Sequence, residues 1–87
     1  MSVRVEKIKR ILTQTFSPTA LHIDDESWKH VGHAGAKESG GGHFAVHITS
    51  KLFSGKSRIA CHRMVNHALK DEFGPTIHAL SIDAKAP

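Results

Sequence analysis

The spacing of apolar residues changes period along this chain, and that change constrains the fold more than any other feature. From Val3 to Phe16 the residues Val5, Ile8, Ile11, Leu12 and Phe16 recur at steps of three and four, which is the period of one helix face. Ser17-Pro18 ends the pattern, because a residue before proline is pushed out of helical geometry. The period then shortens to two. Leu21 and Ile23 alternate with His22 over Ala20 to Asp24, and Phe44, Val46 and Ile48 alternate with His43, Ala45 and His47 over His43 to Thr49. Both segments read as half-buried strands.

Between them, Asp25 to Gly42 is rich in glycine, histidine and charge and has no apolar period. A connection this long inside a compact domain is usually functional or disordered. After the second strand, Leu52-Phe53-Ser54-Gly55 predicts a turn or a very short helix that leads to Ser57 as N-cap. Cys61, Val65, Ala68 and Leu69 then form the apolar stripe of a long helix reaching Phe73, with Met64 and Phe73 at its margins. His62, Arg63, Asn66 and Lys70 take its opposite side, and Gly74-Pro75 stops it. Ile77 to Ala84 closes the chain as a third strand, with His78, Leu80 and Ile82 in phase on the core-facing row. The order α-β-β-α-α-β predicts an α+β two-layer sandwich in which helices cover one face of a three-stranded sheet. No repeat or internal boundary interrupts it, so residues 1–87 read as a single domain.

Composition narrows the function. Cys61 is the only cysteine, so an internal disulfide is excluded and a reducing compartment is expected, either bacterial cytoplasm or an organellar matrix. The first residues enter a charged amphipathic pattern directly, without the apolar stretch of a secretory leader. Nothing approaches the ~18 consecutive apolar residues that a membrane span needs. The net charge is +4, with Lys51, Lys56, Arg58, Arg63 and Lys70 gathered in one region. That region reads either as a solvated helix face or as a patch for nucleic acid or an acidic protein.

Eight histidines stand out: His22, His30, His33, His43, His47, His62, His67 and His78. Imidazole changes charge near neutral pH and binds metals when neutral. His30 and His33 offer two rings in the glycine-rich connection, too few for a closed zinc site but suited to a metal shared with another molecule. The alternative is that they are exposed loop histidines. His78 reads either as a ligand held rigidly at the mouth of a strand or as a core-edge histidine bonded to a backbone carbonyl. Cys61, on the apolar stripe, reads as a small buried hydrophobe.

Two motifs fail on inspection. Gly55-Lys56-Ser57 has the end of a phosphate-binding loop, but Ser50 stands where that motif requires glycine. Gly32-His33-Ala34-Gly35 has the glycine spacing of KH domains, yet there the loop joins two helices and here it joins two strands. Asp24, Asp25 and Glu26 lie together without a nucleophile beside them, so catalysis is not expected.

Several stretches carry a family resemblance: Asp25-Glu26-Ser27 with His30-Val31-Gly32-His33-Ala34-Gly35, Gly42 to Ser50, Phe53 to Val65, and Ile77 to Ile82. In order and spacing they resemble the BolA family over essentially residues 3 to 87. The resemblance implies a fold similar to type II KH domains with a helix-turn-helix-like element. It implies a non-catalytic adaptor that, itself a monomer, associates with a monothiol glutaredoxin and shares an iron–sulfur (2Fe-2S) cluster. Glutaredoxin and glutathione would supply thiolates, and this chain would supply His78 and a second imidazole, His30 or His33. The other implied activity is duplex-DNA binding in transcriptional control through the segment from Phe53 to Lys70; Lys56, Arg58, His62, Arg63, Asn66 and Lys70 are the candidate contacts to DNA or to the glutaredoxin. Family members usually carry a basic residue immediately before the His-Arg pair. Cys61 stands there in this chain, which weakens the DNA reading.

Overall fold

A computed structural model describes residues 3–26 and 42–87. Helix α1 (Val3–Phe16) runs as its periodicity predicts and buries Ile8, Leu12 and Phe16. Strands β1 (Ala20–Asp25) and β2 (Gly42–Thr49) follow. A single 3₁₀ turn (Lys51–Phe53) then leads to helix α2 (Arg58–Ala68), a second 3₁₀ turn (Lys70–Glu72) and strand β3 (Ile77–Lys85). The sheet order is β1-β2-β3. β2 pairs antiparallel with β1 and parallel with β3. Parallel neighbours need a crossover of a dozen or more residues, and the segment carrying α2 supplies it.

Both helices pack on the side of the sheet that carries Phe44, Val46 and Ile48. These join Ile8, Leu12, Phe16, Phe53, Cys61, Val65, Leu69 and Ile77 in one core. Each fully buried side chain of this size stabilises the fold by about 1.5–3 kcal/mol relative to exposure. The Phe16 and Phe53 rings meet at 5.1 Å and 41°, joining the end of α1 to the first 3₁₀ turn. The other face of the sheet carries His22, His47 and Asp83, all exposed.

One buried hydroxyl fastens three elements. Ser50 is fully buried, and its Oγ donates to the Phe16 carbonyl at 2.7 Å while accepting from the Leu52 N–H at 3.2 Å. Its backbone N–H donates to the Lys85 carbonyl at 3.0 Å. The orphan carbonyl at the end of α1 is thereby tied to the ends of β2 and β3.

Two expectations need correction. The long helix stops at Ala68 rather than Phe73, because Leu69 leaves helical geometry (φ −101°, ψ 10°) and the chain tightens into the second 3₁₀ turn. An apolar stripe has nearly the same spacing in either helix type, so periodicity could not separate them. Gly74, at φ 107°, then redirects the chain towards β3. His78, too, departs from its expected phase, turning away from the core-facing row of β3.

Candidate functional site

β2 and β3 are parallel, so both begin at the same end of the sheet. The 27–41 connection is anchored there too: it leaves from Glu26, just beyond β1, and returns at Gly42, the first residue of β2. The Glu26 N–H donates to the His43 carbonyl at 2.7 Å, and the Gly42 N–H donates to the Thr76 carbonyl at 3.0 Å. The first two residues of β2 are therefore tied to both flanking segments, His43 to the end of β1 and Gly42 to the approach to β3.

His78 does not continue the core-facing row of Leu80 and Ile82. The β2–β3 register shifts between Gly42 and His43: Ile77 stands opposite Gly42, while Ala79 stands opposite His43. His78 is the extra residue of this bulge. Ile77 goes into the core and is 1% exposed, His78 turns out to solvent, and Leu80, Ile82 and Ala84 resume packing against the core. A bulge re-aims a side chain without breaking the strand, and strict alternation could not reveal it.

Turned outward, the His78 ring meets that of His43 with centroids 5.1 Å apart and planes inclined at 46°. Sequence reasoning missed His43 as a partner. Alternation placed it on the outer face, but only the parallel pairing and the bulge bring it to His78. Beside the pair lies a shallow depression lined by Glu26, His43, Phe44, Ala79, Leu80 and Ser81. His30 and His33 lie outside the described residues. Among the described residues no three His, Cys, Asp or Glu side chains form a ready-made metal-binding group.

The approach to β3 is braced from α1. The Thr76 hydroxyl donates to the Glu72 carboxylate at 2.7 Å, and the Lys7 ammonium lies 3.1 Å from the same oxygen. The hydrogen bond from Thr76 holds the Glu72 carboxyl below its usual range. Burial opposes that shift and Lys7 reinforces it. The residue immediately before the bulge is thus fixed through Thr76, whose carbonyl also receives Gly42.

Of the predicted contact residues around α2, Lys56, Arg58, Arg63, Asn66 and Lys70 are exposed, while His62 is half-buried. Ser57 caps α2, accepting from the Ala60 N–H at 3.1 Å. Leu52 and Ile59, interleaved in sequence with these cations, are 50% and 64% exposed. Cys61 is buried, with its Sγ 3.9 Å from the Phe53 carbonyl, as expected for a small core hydrophobe. Among the described residues no helix is long and apolar enough to cross a membrane.

Comparison with known proteins gives one consistent answer. A family model described as BolA-like protein matches residues 12–87. An uncharacterized Sinorhizobium protein encoded in the cobS 5′ region is 40% identical over 83 residues, covering 94% of this chain and 89% of that one. The chloroplastic protein BOLA1 of Arabidopsis thaliana is 40% identical over 86 residues, covering 97% of this chain; the chain spans just over half (54%) of that protein's length. The solved BolA domain of Arabidopsis SufE1 superposes with a TM-score of 0.84 at 38% identity, covering 100% of this chain and 95% of that one.

Proposed function

The chain belongs to the BolA-like family, and from that premise we propose that it is a non-catalytic adaptor that binds a monothiol glutaredoxin and shares a 2Fe-2S cluster with it. The observation that carries this reading is the imidazole pair formed by exposed His78 and half-buried His43. His43 and His78 lie 5.1 Å apart at the end of the sheet where the His30- and His33-bearing connection is anchored. A 2Fe-2S cluster takes four protein-type ligands, usually thiolates, and imidazole can replace thiolate on one iron. The only thiol of this chain is buried, so the donor set fits half a cluster and not a whole one. The missing thiolates have to come from a partner, in this reading the glutaredoxin and its glutathione.

His78 acts as the ligand presented by the bulge, with His43 beside it and His30 or His33 as the further imidazoles of the connection. The chain's part is to hold neutral rings at fixed separation. Protonated imidazole cannot bind metal, so ligation weakens in acid. When bound, the cluster supplies one-electron redox chemistry at a potential raised by imidazole ligation. The α2 region supports protein docking: exposed Leu52 and Ile59 among Lys56, Arg58, Arg63 and Lys70 combine apolar contact with charge. Duplex DNA offers its acidic surface to the cations, but apolar contact only at thymine methyls or unstacked base steps. A DNA-binding role through the same cations remains the second reading, and its mark is affinity that falls steeply with salt.

Mixing the protein with cluster-loaded monothiol glutaredoxin and recording visible circular dichroism tests the proposal. Wild type shifts the cluster bands. His78→Ala abolishes the shift, and His43→Ala reduces it. A wild-type mixture whose spectrum equals that of the glutaredoxin alone would sink the reading.

A further inference from the structure

The face of the sheet turned away from the helices carries a second constellation, independent of His78. Strand register puts one residue from each strand in a single row: His22 of β1 opposite His47 of β2, and His47 opposite Asp83 of β3. Asp24, two residues along β1, shares that face. His22 Nε2 lies 2.7 Å from Asp24 Oδ1, and His47 Nε2 lies 3.7 Å from Asp24 Oδ2. His47 Nδ1 lies 3.4 Å from Asp83 Oδ2. The two imidazole centroids are 6.0 Å apart, with planes inclined at 32°.

Proton accounting shows what this arrangement lacks. A neutral imidazole has one N–H. If a neutral His47 donates its Nδ1–H to Asp83, its bare Nε2 lies 3.7 Å from an Asp24 carboxylate oxygen, a solvent-open gap between two acceptors that a cation, a proton or water can fill. Asp83 in that row and Asp24 in the adjoining one place two negative charges on this face, in a chain whose net charge is +4. The nearest cation along β3 is Lys85, in the neighbouring row with Ala20 and Thr49. A positively charged guest between Asp24 and the two rings resolves both conflicts.

We propose that His22, Asp24 and His47 form a surface site for a divalent transition-metal ion of the zinc class, with Asp83 orienting His47. Two imidazoles and one carboxylate suit such ions and leave coordination positions open to water or a partner's side chain. Asp83 on Nδ1 is the outer carboxylate that metal-bound histidines commonly have: it fixes the tautomer and presents Nε2. As they stand the groups bond to one another and do not enclose a coordination point, and no ready-made three-ligand group is present among the described residues. The ion enters by replacing the hydrogen between His22 and Asp24. The His22 proton passes through solvent from Nε2 to Nδ1, Nε2 binds the metal, and no electron moves. Along β2, His47 lies four residues past His43, about 13 Å at strand rise, so this site is separate from the His43–His78 pair.

Zinc titrated into metal-free, isotope-labelled protein, with imidazole nitrogens followed by NMR, tests the site directly. The expected result is that Nε2 of His22 and of His47 shift together by the first equivalent. In parallel calorimetry His22→Ala and His47→Ala each weaken zinc binding at least about tenfold, and Asp83→Asn weakens it by roughly 10–100-fold. His43→Ala/His78→Ala leaves those two resonances responding as in wild type. His22, His47, Asp83 and His78 are exposed and His43 is half-buried, and far-UV circular dichroism checks that each variant is folded. Resonances of His22 and His47 that stay in place at one equivalent would overturn the proposal. So would unchanged affinity in both alanine variants, or a doubly protonated His47 at neutral pH that excludes zinc.

Discussion

Replacing Ser50 by alanine should cost far more than its size suggests. The hydroxyl is fully buried, donates to the Phe16 carbonyl at 2.7 Å and accepts from the Leu52 N–H at 3.2 Å. Alanine leaves both backbone groups unpaired. Phe16 is itself buried, so its carbonyl loses its partner where water has little access, a penalty of about 1–3 kcal/mol. Leu52 is half-exposed, and its N–H can turn to water, adding only about 0.5–1 kcal/mol. The sum is roughly 1.5–4 kcal/mol, a large share of the ~5–15 kcal/mol that holds a domain together. Urea unfolding should show a lower midpoint with an unchanged slope. Ser57→Ala is the control. It removes an exposed cap hydrogen bond to Ala60 and should cost about 1 kcal/mol. If Ser50→Ala costs no more than Ser57→Ala, the hydroxyl does not fasten α1 to the sheet ends and the reasoning fails.

Glu72 gives a pH-dependent prediction. Its folded carboxyl is held below the usual range by Thr76 and, secondarily, by Lys7. It therefore contributes stability that is present above the ordinary glutamate value and is lost as pH falls through the folded one. Glu72→Gln should flatten the acid limb of a plot of urea midpoint against pH; parallel curves for the two proteins would count against it. Ser17 closes α1 at φ 45°, a left-handed conformation costly for a side-chain-bearing residue. Ser17→Gly should raise stability by about 0.5–1 kcal/mol, net of glycine's greater freedom in the unfolded chain, and a lowered melting temperature would refute this.

The helices and strands were largely legible because their signals are local. The Ile8, Leu12 and Phe16 stripe and the alternation of Phe44, Val46 and Ile48 each announce one buried face, and those residues form the core. What stayed hidden depends on register between segments distant in sequence. The opposition of His22, His47 and Asp83 exists only once β1, β2 and β3 are aligned. The meeting of His43 with His78 depends on a bulge that strict alternation contradicts, and reading His78 in phase with Leu80 therefore put it on the wrong side of β3. The early end of α2 was hidden for a different reason, since α and 3₁₀ geometry satisfy nearly the same apolar spacing. The expected loop ligands His30 and His33 fall outside the described residues, so the structure bears on them only through the anchoring of their segment at Glu26 and Gly42.

Pulsed electron paramagnetic resonance on the reduced cluster, with histidine in this chain alone labelled with ¹⁵N, asks the central question most directly. If the adaptor reading is right, the mixture with glutaredoxin shows ¹⁵N coupling to the cluster spin, and His78→Ala removes the contribution of that imidazole. A cluster signal carrying no ¹⁵N coupling from the wild-type chain would mean that these imidazoles do not ligate iron.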